Sequence, residues 1–366
     1  MTRNGGLLGN AIGQGAYAGK LPAWHRLGNV YPDGFTFREK LNETGMGYNI
    51  LTRPMGAIMP DNTVYATGNM VLMREPTPLD PAWKMLGVCS QHYGYFQNTE
   101  IADLMDDMAT QTGWDQATMG AIGNGHNVFM TLDAGTHNVA GEDILLYASY
   151  VSNRDGRNAD YLLMSPIRIV CVNTQHAAFG AAKSKITMQH SSTLRDEAAW
   201  RTETIISAKK SGKDVITALN RLASVKIDES RFETVVNAVL PAPKLPTSVL
   251  ELKASGRESL EAKAHTAQVK YDRELVLVEA GKNAMRENFE RFNDEYQDNA
   301  GNGWGAYQAV TEYVTHQFGT LGRGDVIRGK RPSETAQAVH DVLGNGMDMR
   351  STAYATIMGF AGKGKR

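Results

Sequence analysis

The chain has 366 residues, 42% hydrophobic and 21% charged, a composition that excludes a disordered or fibrous protein and leaves room for two or three folding units. Its 38 basic and 39 acidic residues give a formal net charge of −1, so no global field recommends a polyanionic partner and any basic surface has to be local. Cys89 and Cys171 allow at most one disulfide; the start lacks a secretory apolar core, and no stretch approaches the ~20 apolar residues of a membrane span, so a reducing, cytosolic compartment without membrane insertion is expected.

Residues 1–20 are rich in glycine and read as an arm, loose or wrapped over another element. After the turn Pro32-Asp33-Gly34, a short amphipathic run from Phe35 to Thr44 predicts a small helix ending at Gly45. From Tyr48 to Asn98 the segments "YNILTRPM", "YATGNMVLMRE", "WKMLGVCS" and "YGYFQ" are β-branched and aromatic and predict strands. "NTEIADLMDDMATQTG" predicts a helix capped by Asn98 or Thr99 and stopped at Gly113, with Ile101, Leu104, Met105 and Met108 on one face. Gly123-Asn124-Gly125 lies between two alternating runs and predicts a long hairpin, because both turn positions need positive φ. "DILLYASYVSN" and "DYLLMSPIRIVCVNTQ", joined by the turn "RDGRNA", supply two more strands.

Beyond Asn173 the pattern turns helical: Leu194 to Leu222, Asp228 to Val239, a charged run from Val249 to Asp298 as one helix or two, then the helix "NGWGAYQAVTEYVTHQF", a basic loop and two short helices. The expected fold class is α+β: an antiparallel sheet with long hairpins and one main packed helix, followed by a mostly helical C-terminal part. The expected divisions are an arm (1–20), an antiparallel core (21–180), a region of long helices (181–300) and C-terminal helices with a basic loop and tail (301–366).

"SPIRIVCVNTQH", residues 165–176, sets a cysteine and a histidine close together. In a strand, Ile167, Ile169, Cys171 and Asn173 share one face and Arg168 lies on the other, so Cys171 reads as a buried thiol rather than a nucleophile, and His176 falls past the strand end. The nine histidines form no paired helical metal motif, and the acids Glu100, Asp103, Asp106 and Asp107 read as a solvated helix face rather than a magnesium site. "GQGAYAG" departs from the dinucleotide fingerprint and no Walker lysine motif is present, so no cofactor is expected. The stronger signal is local charge. Between Lys183 and Lys226 nine basic residues stand against four acidic ones, a patch of the kind that attracts phosphates, with Trp200 as either a base-stacking or a core aromatic.

Four ordered stretches, "PAWHRLGNVYPDG", "SQHYGYFQNTEIADLMDD", "LLMSPIRIVCVNT" and "GNGWGAYQAVTEYVTHQ", resemble the phage/plasmid-like proteins grouped as domain of unknown function 932. The order of antiparallel strands, one helix and long hairpins is similar to single-strand annealing proteins of the Redβ, RecT and ERF kind. Where members of the first family carry an arginine-rich run ending in His-Thr, this chain has "AAKSKITMQHSS". The resemblance implies a non-enzymatic protein of the host-cell cytoplasm that binds and anneals single-stranded DNA without ATP and assembles as a homo-oligomeric ring or filament. Arg168, Lys183, Lys185, His190, Arg195 and Arg201 are the expected phosphate contacts. Two rival readings are a protein that binds a host or phage partner, and a hydrolase or nuclease using Cys171, His176 or the acidic helix.

Overall fold

The expected α+β architecture is present in a computed structural model, which describes residues 16–18, 29–31, 34–78, 80–156, 158–168, 185–188, 197–245, 247–254, 258–295, 300–317 and 345–361. Its strands are β1 (Ala16–Ala18), β2 (Asn29–Tyr31), β3 (Ile50–Ile58), β4 (Val64–Arg74), β5 (Lys84–Cys89), β6 (Asp115–Ile122), β7 (Asn127–Val139), β8 (Glu142–Asn153), β9 (Asp160–Arg168) and β10 (Lys185–Met188). Helices α1 (Phe37–Lys40) and α2 (Asn98–Thr112) lie among the strands. After them come α3 (Glu197–Ala223), α4 (Glu229–Val239), α5 (Thr247–Ala254), α6 (Glu258–Glu295), α7 (Gly303–Glu312) and α8 (Asn345–Ala361). Two compact units divide the chain: Met1–Asn138, Asp143–Ala178 and Ala182–Thr217 form the first, and Val139–Glu142, Phe179–Ala181 and Ala218–Arg366 the second.

In the first unit the sheets follow from the sequence pattern. β6 to β10 run antiparallel in chain order, and β1 joins beside β6 with β2 parallel to it. The β6–β7 hairpin turns at Asn124 (φ 60°) and Gly125 (φ 95°), the positive-φ pair that the Asn-Gly signal predicts. Nearly every residue of β8 is buried, which is why it reads as a continuous apolar run. Thr131 and Ser149 stay inside by sharing a hydroxyl hydrogen bond of 2.9 Å. A separate antiparallel sheet takes the order β3-β4-β5. Its strand β5 approaches the turn after β8 backbone to backbone. A side chain at Gly87 would strike Asp155, and one at Gly156 (φ 76°) would strike the Val88 carbonyl.

α2 buries Ile101, Leu104, Met105 and Met108 completely, as its spacing predicts, and ends at Gly113 in the left-handed conformation. Its cap precedes both expected positions, Asn98 and Thr99. Gln97 caps, its N–H donating to Glu100 Oε2 (2.6 Å), while its amide takes both the N–H and the C=O of Ile50 at 2.8 Å. Asn98 is free for tertiary contacts, donating to the Met46 carbonyl at 2.7 Å. The acids of α2 are partly solvated, as expected, Asp103 and Asp107 being 40% and 52% exposed, and three of them also reach other elements. Asp106 accepts the first two N–H groups of α1, from Phe37 (2.9 Å) and Arg38 (3.0 Å), where the helix has no internal partners for them. Asp103 lies 3.5 Å from Arg38, and Asp107 lies 3.0 Å from Arg201.

Three further differences from expectation have local causes. "YGYFQ" is no strand: Tyr93 makes a single bridge, Phe96 stacks on Trp200 and Gln97 caps α2. Residues 16–18, inside the glycine-rich arm, add to the sheet at β6. Lys185–Met188, in a stretch read as helical, pairs with β9 from Leu163 to Asp160; two β-branched residues, Ile186 and Thr187, suffice once a sheet edge offers backbone partners.

In the second unit α4 packs with α8, α6 with α5 and α7, and α7 with α8. Phe232 and Phe289 stack at 4.1 Å in its core. The charged run is two helices, α5 and α6, and from residue 261 to 280 only Ala264 is buried. After that α6 goes inward: Gly281 lets it approach Tyr313 and Leu240, and Met285, Asn288, Phe289 and Phe292 are buried. α7 begins at Asn302, whose side chain accepts from the Gly305 N–H at 2.9 Å. It continues into a wider π turn over Tyr313–Gln317.

Candidate nucleic-acid interface

α3 holds most of the described part of the basic patch, with Lys226 just beyond its end. Between Glu197 and Thr217 its apolar and small residues recur on one face, where Thr204, Ile205, Ala208, Ser211 and Val215 are buried. That face lies on the sheet: a side chain at Gly212 would meet Met164 of β9 at 3.3 Å and Leu146 of β8 at 3.4 Å. The opposite face is in solvent. From Ile206 to Lys213 it presents Lys209, Lys210 and Lys213, all exposed, and this stretch contains no carboxylate. Lys209 Nζ also donates to the Gln111 carbonyl at 2.9 Å, placing a cation at the C-terminal end of α2, which has no basic residue in its own last turn.

Of the six expected phosphate contacts, only Arg201 has a described side chain. It is paired with Asp107 at 3.0 Å and is 21% exposed, so it ties α3 to α2. Arg168 ends β9 opposite Ile144 and Lys185 opens β10 opposite Leu163; their side chains, and all of Lys183, His190 and Arg195, lie outside the described residues. Trp200 stacks on Phe96 with ring centres 4.4 Å apart and planes at 14°, which makes it a packing residue. Cys171 and His176 also lie outside the described residues. The other cysteine, Cys89, is buried with its thiol pKa pushed up by burial, the reverse of what a nucleophile needs. Among the described residues no group of three or more His, Cys, Asp or Glu could hold a metal ion.

A second polar cluster, inside the first unit, has no counterpart in the motif reading. Asp160 is fully buried, and its carboxylate accepts from Tyr150 Oη (3.0 Å), Ser152 Oγ (2.9 Å) and the Asn153 N–H (2.8 Å). Arg154 is 1% exposed and donates through Nη2 to Asn98 Oδ1 at 2.9 Å. Arg74, also fully buried, donates to the Asn124 and Glu75 carbonyls and to Asp80 Oδ2 at 2.5 Å. Burial, opposed by the Arg74 hydrogen bond and charge, leaves the Asp80 carboxyl below its usual range. The only advance signals of this cluster are polar residues placed within apolar strands and the Arg-Asp-Gly turn.

The tyrosines around it carry a pH dependence. Burial, and then the Asp160 charge, raise the Tyr150 hydroxyl well above its ordinary value and push Tyr161 up to about 12; burial does the same for Tyr48 and Tyr147. Below the ordinary phenol value of 10.0 both folded and unfolded chains hold these protons and stability is untouched. As pH rises above it only the unfolded chain releases them, so stability falls progressively over that window. In an alkaline titration exposed tyrosines such as Tyr65 should ionise first, and the remaining tyrosinate absorbance should appear together with loss of circular dichroism; complete ionisation while the fold persists would contradict this burial.

Sheets with long hairpins, one packed helix and a helical C-terminal part define an α+β protein, with three exposed lysines close together on α3. The chain belongs to the family described as Domain of unknown function (DUF932), whose model matches residues 85–342. No curated protein matches the chain, and no solved structure does. Among the described residues no helix is long and apolar enough to cross a membrane.

Proposed function

We propose that this protein binds single-stranded DNA through its phosphates and anneals complementary strands without ATP, in phage-type recombination or replication. The observation that carries this is the exposed face of α3, where Lys209, Lys210 and Lys213 stand together with no carboxylate between Ile206 and Lys213. Lysines hold the backbone as point charges and leave base edges free to pair, which is what annealing requires. The order of antiparallel strands and hairpins, similar to annealing proteins of the Redβ, RecT and ERF kind, supports the reading by analogy alone. Arg168, Lys183, Lys185, His190 and Arg195 are further phosphate contacts in this reading, and a ring or filament of copies would align such contacts along a strand.

The test is an oligonucleotide mobility shift and strand-annealing assay across a salt series. The wild type should bind more weakly as salt rises. The K209E/K210E/K213E variant should lose at least tenfold in affinity, with its log–log salt slope shallower by about 2, from ~0.7 per lost contact. Absence of a shift, or a shift insensitive to salt and to the three substitutions, overturns the proposal and favours the rival in which the protein binds a host or phage protein.

A further inference from the structure

Arg74 and Arg154 are both buried in the first unit, and only Arg74 is satisfied. Arg74 uses all three guanidinium nitrogens, Nε on the Asn124 carbonyl, Nη1 on the Glu75 carbonyl and Nη2 on Asp80. Arg154 uses one. Its Nη2 donates to Asn98 Oδ1, while Nε and Nη1 are buried without an acceptor. None of the ion pairs among the described residues includes it, and the buried Asp160 carboxylate is taken up by Tyr150, Ser152 and the Asn153 N–H. A buried cation is ordinarily matched by an opposite charge, and stranding its donors is costly.

The shape of the guanidinium says what is missing. Nη2 gives one hydrogen to the edge it shares with Nε and one to the edge it shares with Nη1. Asn98 Oδ1 takes one of the two, so the other edge keeps a pair of parallel N–H groups with no acceptor. Such a pair fits two oxygens of one oxyanion, where a single halide fits poorly. The surroundings favour negative charge as well. Asn98 stands in the first turn of α2, at the positive end of the helix dipole, and the carboxylate of that turn, Glu100, is engaged by the Gln97 N–H. Burial raises the Tyr48, Tyr93 and Tyr150 hydroxyls and the Arg154 charge opposes the rise in each, so three protonated phenols border the guanidinium.

We propose that Arg154 and the first turn of α2 hold one phosphate group, free or at the end of a larger molecule, in a closed site that opens when the 90–96 loop lifts. Guanidinium, helix start and phenols present donors from three directions, which suits a tetrahedral group better than a planar carboxylate. An internal phosphodiester of a nucleic acid carries chain on both sides and does not enter an enclosed site, so only a terminal or free phosphate qualifies. The loop is the way in because Ser90, Gln91 and His92 are exposed, while Tyr93 of the same loop reaches the Asn153 carbonyl with its hydroxyl at 3.5 Å, the outer limit of a hydrogen bond.

Equilibrium dialysis of the full chain against radiolabelled inorganic phosphate, at constant ionic strength, tests this. The wild type should take up one phosphate per chain. Its thermal midpoint should climb by roughly 3–5 °C for each tenfold rise in phosphate once the site fills, with no such climb in acetate. R154K keeps the charge but loses the fork, so it should bind about tenfold more weakly or worse, and R154M should bind none. Should either variant fail to fold, uptake by the wild type decides. No uptake at millimolar phosphate, undiminished uptake by R154M, or an equal midpoint response to acetate would overturn the inference. K209E/K210E/K213E should still take up one phosphate and R154K should still shift a 5′-hydroxyl oligonucleotide, so this site and the DNA reading fail separately. Competition by a 5′-phosphorylated oligonucleotide would identify strand ends as the source of the phosphate, and uptake without that competition would identify free phosphate.

Discussion

Replacing Asp160 by alanine should destabilise the first unit by at least about 3 kcal/mol, because it strands three buried donors that each cost ~1–3 kcal/mol when unsatisfied. The carboxylate opens β9 and gathers Tyr150, Ser152 and the backbone of Asn153 at the end of β8. Asp160→Asn keeps the volume and some accepting capacity, so it should cost less than half as much. Thermal unfolding followed by circular dichroism should show the alanine variant melting roughly 6–12 °C earlier, at ~2–4 °C per kcal/mol for a unit of this size. Equal melting temperatures for wild type and D160A would show that this carboxylate does not hold the β8–β9 turn.

Replacing Trp304 by alanine should cost the second unit about 3–5 kcal/mol, the range for deleting a large buried aromatic. Trp304 is 1% exposed, and its indole N–H donates to Glu142 Oε2 at 3.2 Å. It sits in the first turn of α7 next to Gly303, whose backbone lies so close to the Leu222 carbonyl and Ile357 that a side chain there would collide with both. The cavity left by alanine cannot close, because α7 is already seated at its nearest approach. Trp304→Phe retains most of the ring and loses one hydrogen bond, a cost of ~0.5–1.5 kcal/mol. Denaturant unfolding of the two variants should separate the terms; a Trp304→Phe loss as large as that of alanine would place the energy in the Glu142 contact rather than in packing.

The long hairpin at Asn124 and Gly125 and the buried stripe of α2 were legible before the structure, since positive φ and helical spacing are properties of neighbouring residues. The cap of α2 lies before both expected positions, Asn98 and Thr99, for a physical reason. Asn98 is a better cap by type than Gln97, but its amide is claimed by Met46 and Arg154, and Gln97 caps while its own amide completes the start of β3. Among the partly solvated acids of α2, the tertiary partner of Asp106 is equally invisible in the sequence. Asp106 looks the same in the sequence whether it faces water or the N–H groups of a helix 69 residues away. The basic patch was legible as composition only. Burial of Ile205, Ala208 and Val215 shows which lysines of α3 face out, and the ion pair to Asp107 removes Arg201 from that set.

By itself the sequence determined the α+β class, the chain order of hairpins and helices, and which stripe of each strong amphipathic helix is buried, because these depend on periodicity and turn chemistry within a few residues. Only the tertiary structure decided what covers each buried stripe and where buried polar groups find partners. It also showed that the β3–β4 ribbon stands exposed on both faces. Those outcomes depend on contacts between distant segments, such as Asn98 with Arg154 across 56 residues, and local pattern records that a residue is apolar or charged without recording which segment it meets.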